Sequence, residues 1–529
     1  MGRLQSPNNM NRDVTLARIS EEVETWDVLI IGGGATGLGV AVDAAARGYR
    51  AVLLEQHDFA KGTSSRSTKL AHGGVRYLRS GEIGLVRGAL RERGLMERNA
   101  PHLVRRQPFI IPVYGLLDLP VYGVGLKAYE RLSGKLSFGA SRVLSAAKTR
   151  RLLPTLKGKH LLGGVLYFDG QFDDARLALA LAQTATKLGA AVANYTRVEQ
   201  LLKVNDRVAG AEVVDLETGN KFTVRARVVV NATGIFTDAI RRLDEPTAEP
   251  MLTFSSGVHL VLDRSFLPGD CALMVPKTSD GRVLFAVPWH DHVVVGTTDE
   301  PRDKPELEPA PLDHEVNFLL EHISEYLTQP VTRADVRSVF TGLRPLVRAG
   351  NSAATATLSR DHVIAVSPGG LVTITGGKWT SYRKMAEDAV NRAAVVGGLE
   401  KRAPATEKLS LHGAMKPAPT GEAPRFPWHG TDAPSLEMLI THEPALDRLL
   451  HERLPYRAVE VVWAARHEMA RSVEDVLARR TRALLLDARA ALEAAPFTAA
   501  LLARELGKST TWATKQVTAF SKIAQNYLA

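Results

Sequence analysis

The stretch "DVLIIGGGATGLGVAVDAAARGYRAVLLEQ", residues 27–56, sets glycines at 32, 34 and 37 and ends beside an acid, Glu55. Those residue types at that spacing suit the binding of a diphosphate. Gly32 permits a tight turn, Gly34 lets a pyrophosphate approach the backbone, and Gly37 lets a helix lie close on a strand. Amides at the start of that helix would face the phosphates, and Glu55 would accept from a ribose hydroxyl. The elements that must hold these residues are legible. Residues 28–31 are a short apolar run of the buried-strand kind, and apolar residues recur at helical spacing over 36–47. Gly48 ends that pattern, and residues 51–54 are a second apolar run. This is β-α-β with the glycines at its first turn. Alone, it does not separate FAD from NAD.

Three later features separate them. "VVVNATG", residues 228–234, is a strand that ends in a turn at Gly234. "LVTITGGKWTSYRKMAEDAV", residues 371–390, is a strand, a glycine pair and a helix, with Gly377, Lys378 and Thr380 at the junction. Such a junction can aim helix-start amides at the pyrimidine end of a flavin, which is anionic when reduced. No second G-x-G-x-x-G is found, so no separate nicotinamide site is expected and the electrons should come from the substrate. The expected cofactor is FAD. No metal site is expected.

"KGTSSRSTKLAHGGVRYLRSGEIGLVRGALRERGLMERNAPHLV", residues 61–104, follows the opening motif. Further blocks are "FDDARL" (172–177), "VVVGTTD" (293–299), "TGLRPL" (341–346), "SRDH" (359–362), "GGKWTSYRK" (376–384) and "VEDVLARRTRALLLD" (473–487). With these blocks the chain resembles the FAD-dependent glycerol-3-phosphate dehydrogenases from about residue 26 to its end. The resemblance implies a D-amino-acid-oxidase-like fold. It also implies oxidation of sn-glycerol 3-phosphate at C2 to dihydroxyacetone phosphate, with electrons passed through FAD to membrane quinone. A sister oxidase, which gives electrons to oxygen, carries a long polar insertion that is not visible here.

The implied substrate is a phosphate dianion, which the planar donors of arginine suit best. Matching the family's motifs puts Arg76, Tyr77, Arg344, Arg360 and Lys378 near it, with Arg344 and Arg360 on the phosphate and Lys378 beside the flavin. Two histidines compete for the C2 proton. His259 lies in the alternating strand "SSGVHLVLD", which can point it into a site, whereas His72 lies in the flavin-proximal string, where it would bond backbone or cofactor. The expected catalytic set is His259, Lys378 and Arg344. Among the hydroxyls after Glu55, Ser65 and Thr68 are expected at the pyrophosphate or the flavin edge, with His72 near them.

The fold class is α/β: a Rossmann-like FAD-binding domain with an inserted, mostly antiparallel substrate sheet, and a C-terminal helical domain. Residues 1–25 read as a flexible tail. The oxidoreductase domain is 26–395, its FAD part about 26–105, 165–240 and 340–395 and its substrate part about 245–340. The Pro/Gly-rich stretch 401–430 reads as a linker, and 431–529 as helical. One cysteine, Cys271, excludes an intrachain disulfide and fits a reducing compartment.

The formal charge of +10 is compatible with an anionic membrane surface, an anionic substrate or nucleic acid. No stretch offers an uninterrupted spanning segment, because prolines and Asp118 break the nearest candidate, 108–126. That apolar stretch and the basic one after it, 127–159, together read as a monotopic contact with an anionic leaflet. The chain is therefore expected in the cytoplasm, on the inner face of the cytoplasmic membrane. Residues 498–524 resemble a helix-turn-helix, but no arginine cluster lies on the second helix, so no nucleic-acid partner is expected. An amine or hydroxy-acid oxidase of the same superfamily is the remaining enzyme reading. A homo-oligomer stays open.

Overall fold

The structure is a computed structural model that describes residues 10–74, 82–115, 118–348, 362–415 and 424–529. Two sheets organise it. In the first, five strands run parallel in the order Val372–Gly376, Lys221–Asn231, Trp26–Ile31, Ala51–Leu54 and Ala191–Ala193. His362–Val366 pairs antiparallel at one edge. A strand's side chains alternate between faces. Val28 and Ile30 therefore join the core under the helices Ala35–Ala46, Asp174–Lys187 and Tyr382–Val396, while Leu29 and Ile31 join the core on the other face. Burial on both faces is why the run reads as continuously apolar. Small residues let the helices approach: a Cβ at Gly39 would sit 3.1 Å from the Tyr382 ring.

The second sheet has ten strands, all paired antiparallel except Ala272–Val275 on Val104–Val113. Leu252–Asp263 is its organising strand. It pairs with Val336–Val347 on one side and with His292–Gly296 and Glu300–Arg302 on the other. This sheet reaches well outside the expected substrate part, taking in Val104–Val113, Arg142–Ser145, Gly163–Phe172 and Val336–Val347. Parts of 165–240 and 340–395 assigned to the FAD part thus belong to it. Alternation marks a strand without saying which sheet it joins.

Three other expectations change. The supposed loose tail carries the helix Arg12–Glu21, capped by the Asn11 side chain. Arg12 there is buried and donates to Asp215 Oδ1 at 2.5 Å, and Ile19 is in the core. The supposed linker is strapped down where it is described: Leu411 N donates to Asn99 O at 2.9 Å, Thr406 Oγ1 donates to Asp43 Oδ1 at 3.1 Å, and Trp428 stacks on His290 at 4.1 Å. Phe109, Ile110, Ile111 and Val113, expected on a membrane, are fully buried in a central strand.

The closing segment is helical: Ala433–His442, Ala458–His467, Ala483–Leu486, Ala488–Leu506 and Thr510–Ala524. Its core merges with Val261, Trp289, Val294 and Phe340 of the second sheet. The last two helices meet at Gly507, whose φ of 63° ends the first of them. Trp512, Val517 and Ile523 of the second pack into the same core. Among the described residues no helix is long and apolar enough to cross a membrane.

Candidate active site

Two adjoining cavities follow the ends of the first sheet, and both are lined by Ala35, Thr36, Thr63, Ser64 and Gly234. The first of these holds the glycine turn. Gly32 has φ +110°, a conformation L side chains rarely adopt, and a Cβ there would lie 2.7 Å from the Ala232 carbonyl oxygen. A Cβ at Gly37 would overlap the Gly32 carbonyl oxygen, so the helix Ala35–Ala46 lies as close on its strand as backbone permits. Gly34 is that helix's N-cap and supplies no side-chain cap. The amides of the first turn are thus available to an anion, apart from Ala35 N, which donates to Ser64 Oγ at 2.9 Å.

Glu55, expected at the ribose, is tied to the glycine turn. Its Oε2 accepts from Gly33 N at 2.6 Å and its Oε1 from His57 N at 2.7 Å, so the carboxylate braces that turn. Burial pushes its carboxyl pKa up, and those two amides oppose the shift. Of the hydroxyls, Ser64 lines both cavities and Thr68 lines the second. Ser65 does not line either. It is buried, and its carbonyl accepts from Lys69 Nζ at 2.7 Å and Arg482 Nη2 at 2.8 Å. The serine string was legible, but which member faces the cavity depends on the short 3-10 turn Thr63–Ser65.

In the second cavity the strand Val372–Gly376 ends in Gly376 and Gly377, with φ of +77° and +70°. Lys378, Trp379 and Thr380 follow and line the cavity. Trp379 Nε1 donates to Ser64 O at 2.9 Å, and His72 N donates to Thr380 Oγ1 at 3.2 Å, so this turn is tied to the serine string. His72 lines the cavity too.

His259 enters from the second sheet. It is 2% exposed, and its Nε2 lies 2.9 Å from Thr68 Oγ1. Its ring stacks on Phe340 at 4.7 Å. Gly296 makes room for it, since a Cβ there would overlap the imidazole. Burial above all, then the charges of Lys69 and Arg344, hold its pKa well below the ordinary histidine value, so the ring is neutral at pH 7.

Arg344 lies on the neighbouring strand and lines the same cavity. Gly257 leaves the space its guanidinium fills. Protein acceptors hold the fork: Ser256 O and Thr298 O at 2.9 Å, Thr297 Oγ1 at 3.1 Å, and Asp299 Oδ1 at 3.3 Å. The side chain is 27% exposed, so its charge is fixed at the cavity wall. Arg76, Tyr77 and Arg360 lie outside the described residues.

Residues 27–383 match the family model for FAD dependent oxidoreductases, and 427–513 match the model for the C-terminal domain of alpha-glycerophosphate oxidase. The chain is 40% identical to the mitochondrial glycerol-3-phosphate dehydrogenase of Rattus norvegicus, over 96% of this chain and 73% of that protein. It is 42% identical to the probable mitochondrial enzyme of Caenorhabditis elegans, over 92% and 71%. The crystal structure of glycerol-3-phosphate dehydrogenase from Bacillus halodurans with FAD superposes with a TM-score of 0.79 at 28% identity, covering 98% of each chain. An L-alpha-glycerophosphate oxidase from Mycoplasma pneumoniae shares the fold over 73% of this chain and 98% of its own, with a TM-score of 0.56 at 17% identity. The chain belongs to the FAD-dependent oxidoreductase family and, within it, to the glycerol-3-phosphate dehydrogenases. Its cofactor is FAD, and the residues present fit that cofactor. A glycine turn whose every Cβ would strike backbone or Glu55 or Ser64 adjoins a helix start, and the adjoining second cavity is lined by the Gly376–Gly377 turn.

Proposed function

We propose that the protein oxidises sn-glycerol 3-phosphate at C2 to dihydroxyacetone phosphate and passes the electrons to a membrane quinone. The observation that carries the proposal is one cavity in which a neutral histidine, a fixed guanidinium and Lys378 meet, in a chain of this family. Bound FAD supplies a hydride acceptor; Gly32, Gly34, Gly37, Glu55, Ser64 and Gly234 hold its dinucleotide end, and Gly377, Lys378 and Thr380 border its ring. Arg344, with Arg360 and Arg76, attracts the phosphate dianion, and Tyr77 is assigned to the same substrate by the family's motif. His259 takes the C2 hydroxyl proton at Nε2, the atom that Thr68 meets at 2.9 Å. Its lowered pKa leaves the ring unprotonated at pH 7, the form a proton acceptor requires. Lys378 stabilises the negative charge that develops on the substrate oxygen as the proton leaves.

The domains serve this division: the first sheet carries the cofactor, the second the substrate, and the closing helices brace both. The membrane contact moves to the exposed face around the helix Asp118–Leu132. Val124 is 72% exposed and Val143 57% exposed there, and Lys148, Arg150 and Arg151 are exposed nearby. This face suits an anionic leaflet, on the cytoplasmic side of the membrane, each cation contributing about 1 kcal/mol near the surface.

The test is a steady-state assay of purified protein with glycerol 3-phosphate and a quinone analogue, against oxygen and against amino and hydroxy acids. Quinone-dependent turnover of the phosphate is expected. Equal turnover with oxygen alone would make the protein an oxidase, and dependence on a carboxylate substrate would make it an amine or hydroxy-acid oxidase.

A further inference from the structure

We infer that a buried triad, Lys69–Asp174–Arg482, is a positioning device through which the closing helical segment holds Thr68 and His259 in place for the oxidation. The inference rests on the reading of His259 as the base. Asp174 is the first residue of the helix Asp174–Lys187 and is completely buried. Its Oδ2 accepts from Lys69 Nζ at 2.7 Å, from Ser67 Oγ at 2.7 Å and from Ser67 N at 3.0 Å. Its Oδ1 accepts from Arg482 Nη2 at 3.0 Å. Both cations also donate to Ser65 O. Ser67 Oγ accepts in turn from Lys69 N at 3.0 Å. Thr68, whose hydroxyl meets the His259 ring, is thus clamped on both sides by groups tied to one carboxylate.

The clamp holds an uncommon conformation. Lys69 has φ +63°, the left-handed region that a lysine seldom occupies. Its ammonium lies 4.9 Å from the centroid of Phe340, the ring that stacks on His259. Trp289 is approached by both Lys69 and Arg482, at 5.4 and 5.5 Å. Asp173, next in the cluster, pairs with His290 at 3.0 Å. Arg482 is anchored in its own segment, donating to Ala478 O at 2.8 Å. Buried ions of this kind stabilise little compared with apolar packing, so their value here lies in what they hold.

The charges that act on His259 are those of Lys69 and Arg344. Burial lowers the Lys69 ammonium to about 7, against the pull of Asp174, so Lys69 is charged at the acidic pH where His259 would protonate. The ammonium lies within about 10 Å of the imidazole, which at an effective dielectric of ~20 corresponds to about one pH unit.

The experiment uses the full-length, FAD-loaded enzyme with glycerol 3-phosphate. Lys69→Met should keep FAD and move the acid limb of the kcat/KM profile up by about one pH unit. Arg482→Gln should lower kcat about tenfold or more, with KM changed less than ~threefold, and Arg482→Lys should recover part of it. Ser67→Ala, too small a change to unfold the chain, should lower kcat several-fold with FAD retained. An acid limb that stays put in Lys69→Met, or wild-type kcat in Ser67→Ala, overturns the inference. If either larger variant fails to fold, Ser67→Ala decides. His259→Gln separates the two readings. A limb that persists there refutes His259 as base, whereas a limb lost there but unmoved in Lys69→Met refutes the triad alone.

Discussion

Replacing Gly32 by alanine should release the cofactor while leaving the fold largely intact. The backbone at Gly32 has φ +110°, and an L residue held there is strained by roughly 1–3 kcal/mol. The added Cβ would also lie 2.7 Å from the Ala232 oxygen, 3.0 Å from its carbon and 3.1 Å from Thr233 Cα. None of these is the end of a flexible side chain. Ala232 N donates to Ile31 O at 2.9 Å, and Ile31 is in register with Asn231, so neither wall can retreat without breaking the parallel pairing. Overpacking of that kind adds roughly 1–3 kcal/mol. If about 3 kcal/mol of the total falls on the bound state, FAD affinity drops about 150-fold. The assay is the ratio of flavin to protein absorbance after desalting, with titration of FAD into stripped enzyme. Gly88→Ala is the control, because Gly88 is exposed on the helix Ile83–Asn99 and a Cβ there meets nothing within 4 Å. Retention of FAD within about threefold of wild type by Gly32→Ala would refute the steric reasoning.

Arg344→Ala should raise KM for glycerol 3-phosphate by the loss of about 2–3 kcal/mol with FAD still bound, and a wild-type KM would remove Arg344 from the phosphate site. Glu55→Gln should weaken FAD by about 1–3 kcal/mol, because an amide offers only one acceptor oxygen to the two backbone N–H groups of Gly33 and His57. Unchanged flavin retention would show that the turn does not need the carboxylate. Burial pushes His57 and His102 down to about 4 from 6.5. The unfolded chain takes up their protons near 6.5 and the folded chain only near 4, so their contribution is whole above pH 6.5 and is lost as pH falls to 4. The thermal midpoint should therefore fall across that window, most steeply above the carboxylate range, and a flat midpoint from pH 7 to pH 5 would count against it.

The glycine turn, its flanking strands and helix, and the dinucleotide-binding class were all legible in residues 27–56, because each depends on local spacing, whereas the choice of FAD needed the later features at 228–234 and 371–390. A run such as Val28–Ile31 is apolar at every position only if both faces are covered, and a glycine at 32 is required by a backbone angle rather than by a distant partner. His259 and the Gly376–Gly377 turn were legible for the same reason, the one from alternation along its strand and the other from a glycine pair between strand and helix. Residues 108–113 show where such reading stops. Their composition fits a membrane surface as well as a central strand, and only pairing with 163–172 and 272–273 makes them interior. The helix Arg12–Glu21 looked like a tail because its anchors, Asn194 and Asp215, are far along the chain. Ser64 and Ser65 are adjacent and chemically alike, and one 3-10 turn sends the first to the cavity and the second to the interior. Lys69, Asp174 and Arg482 carried no joint signal at all. Periodicity records that a residue has a buried face, but the partner that covers it is chosen by packing between segments hundreds of residues apart.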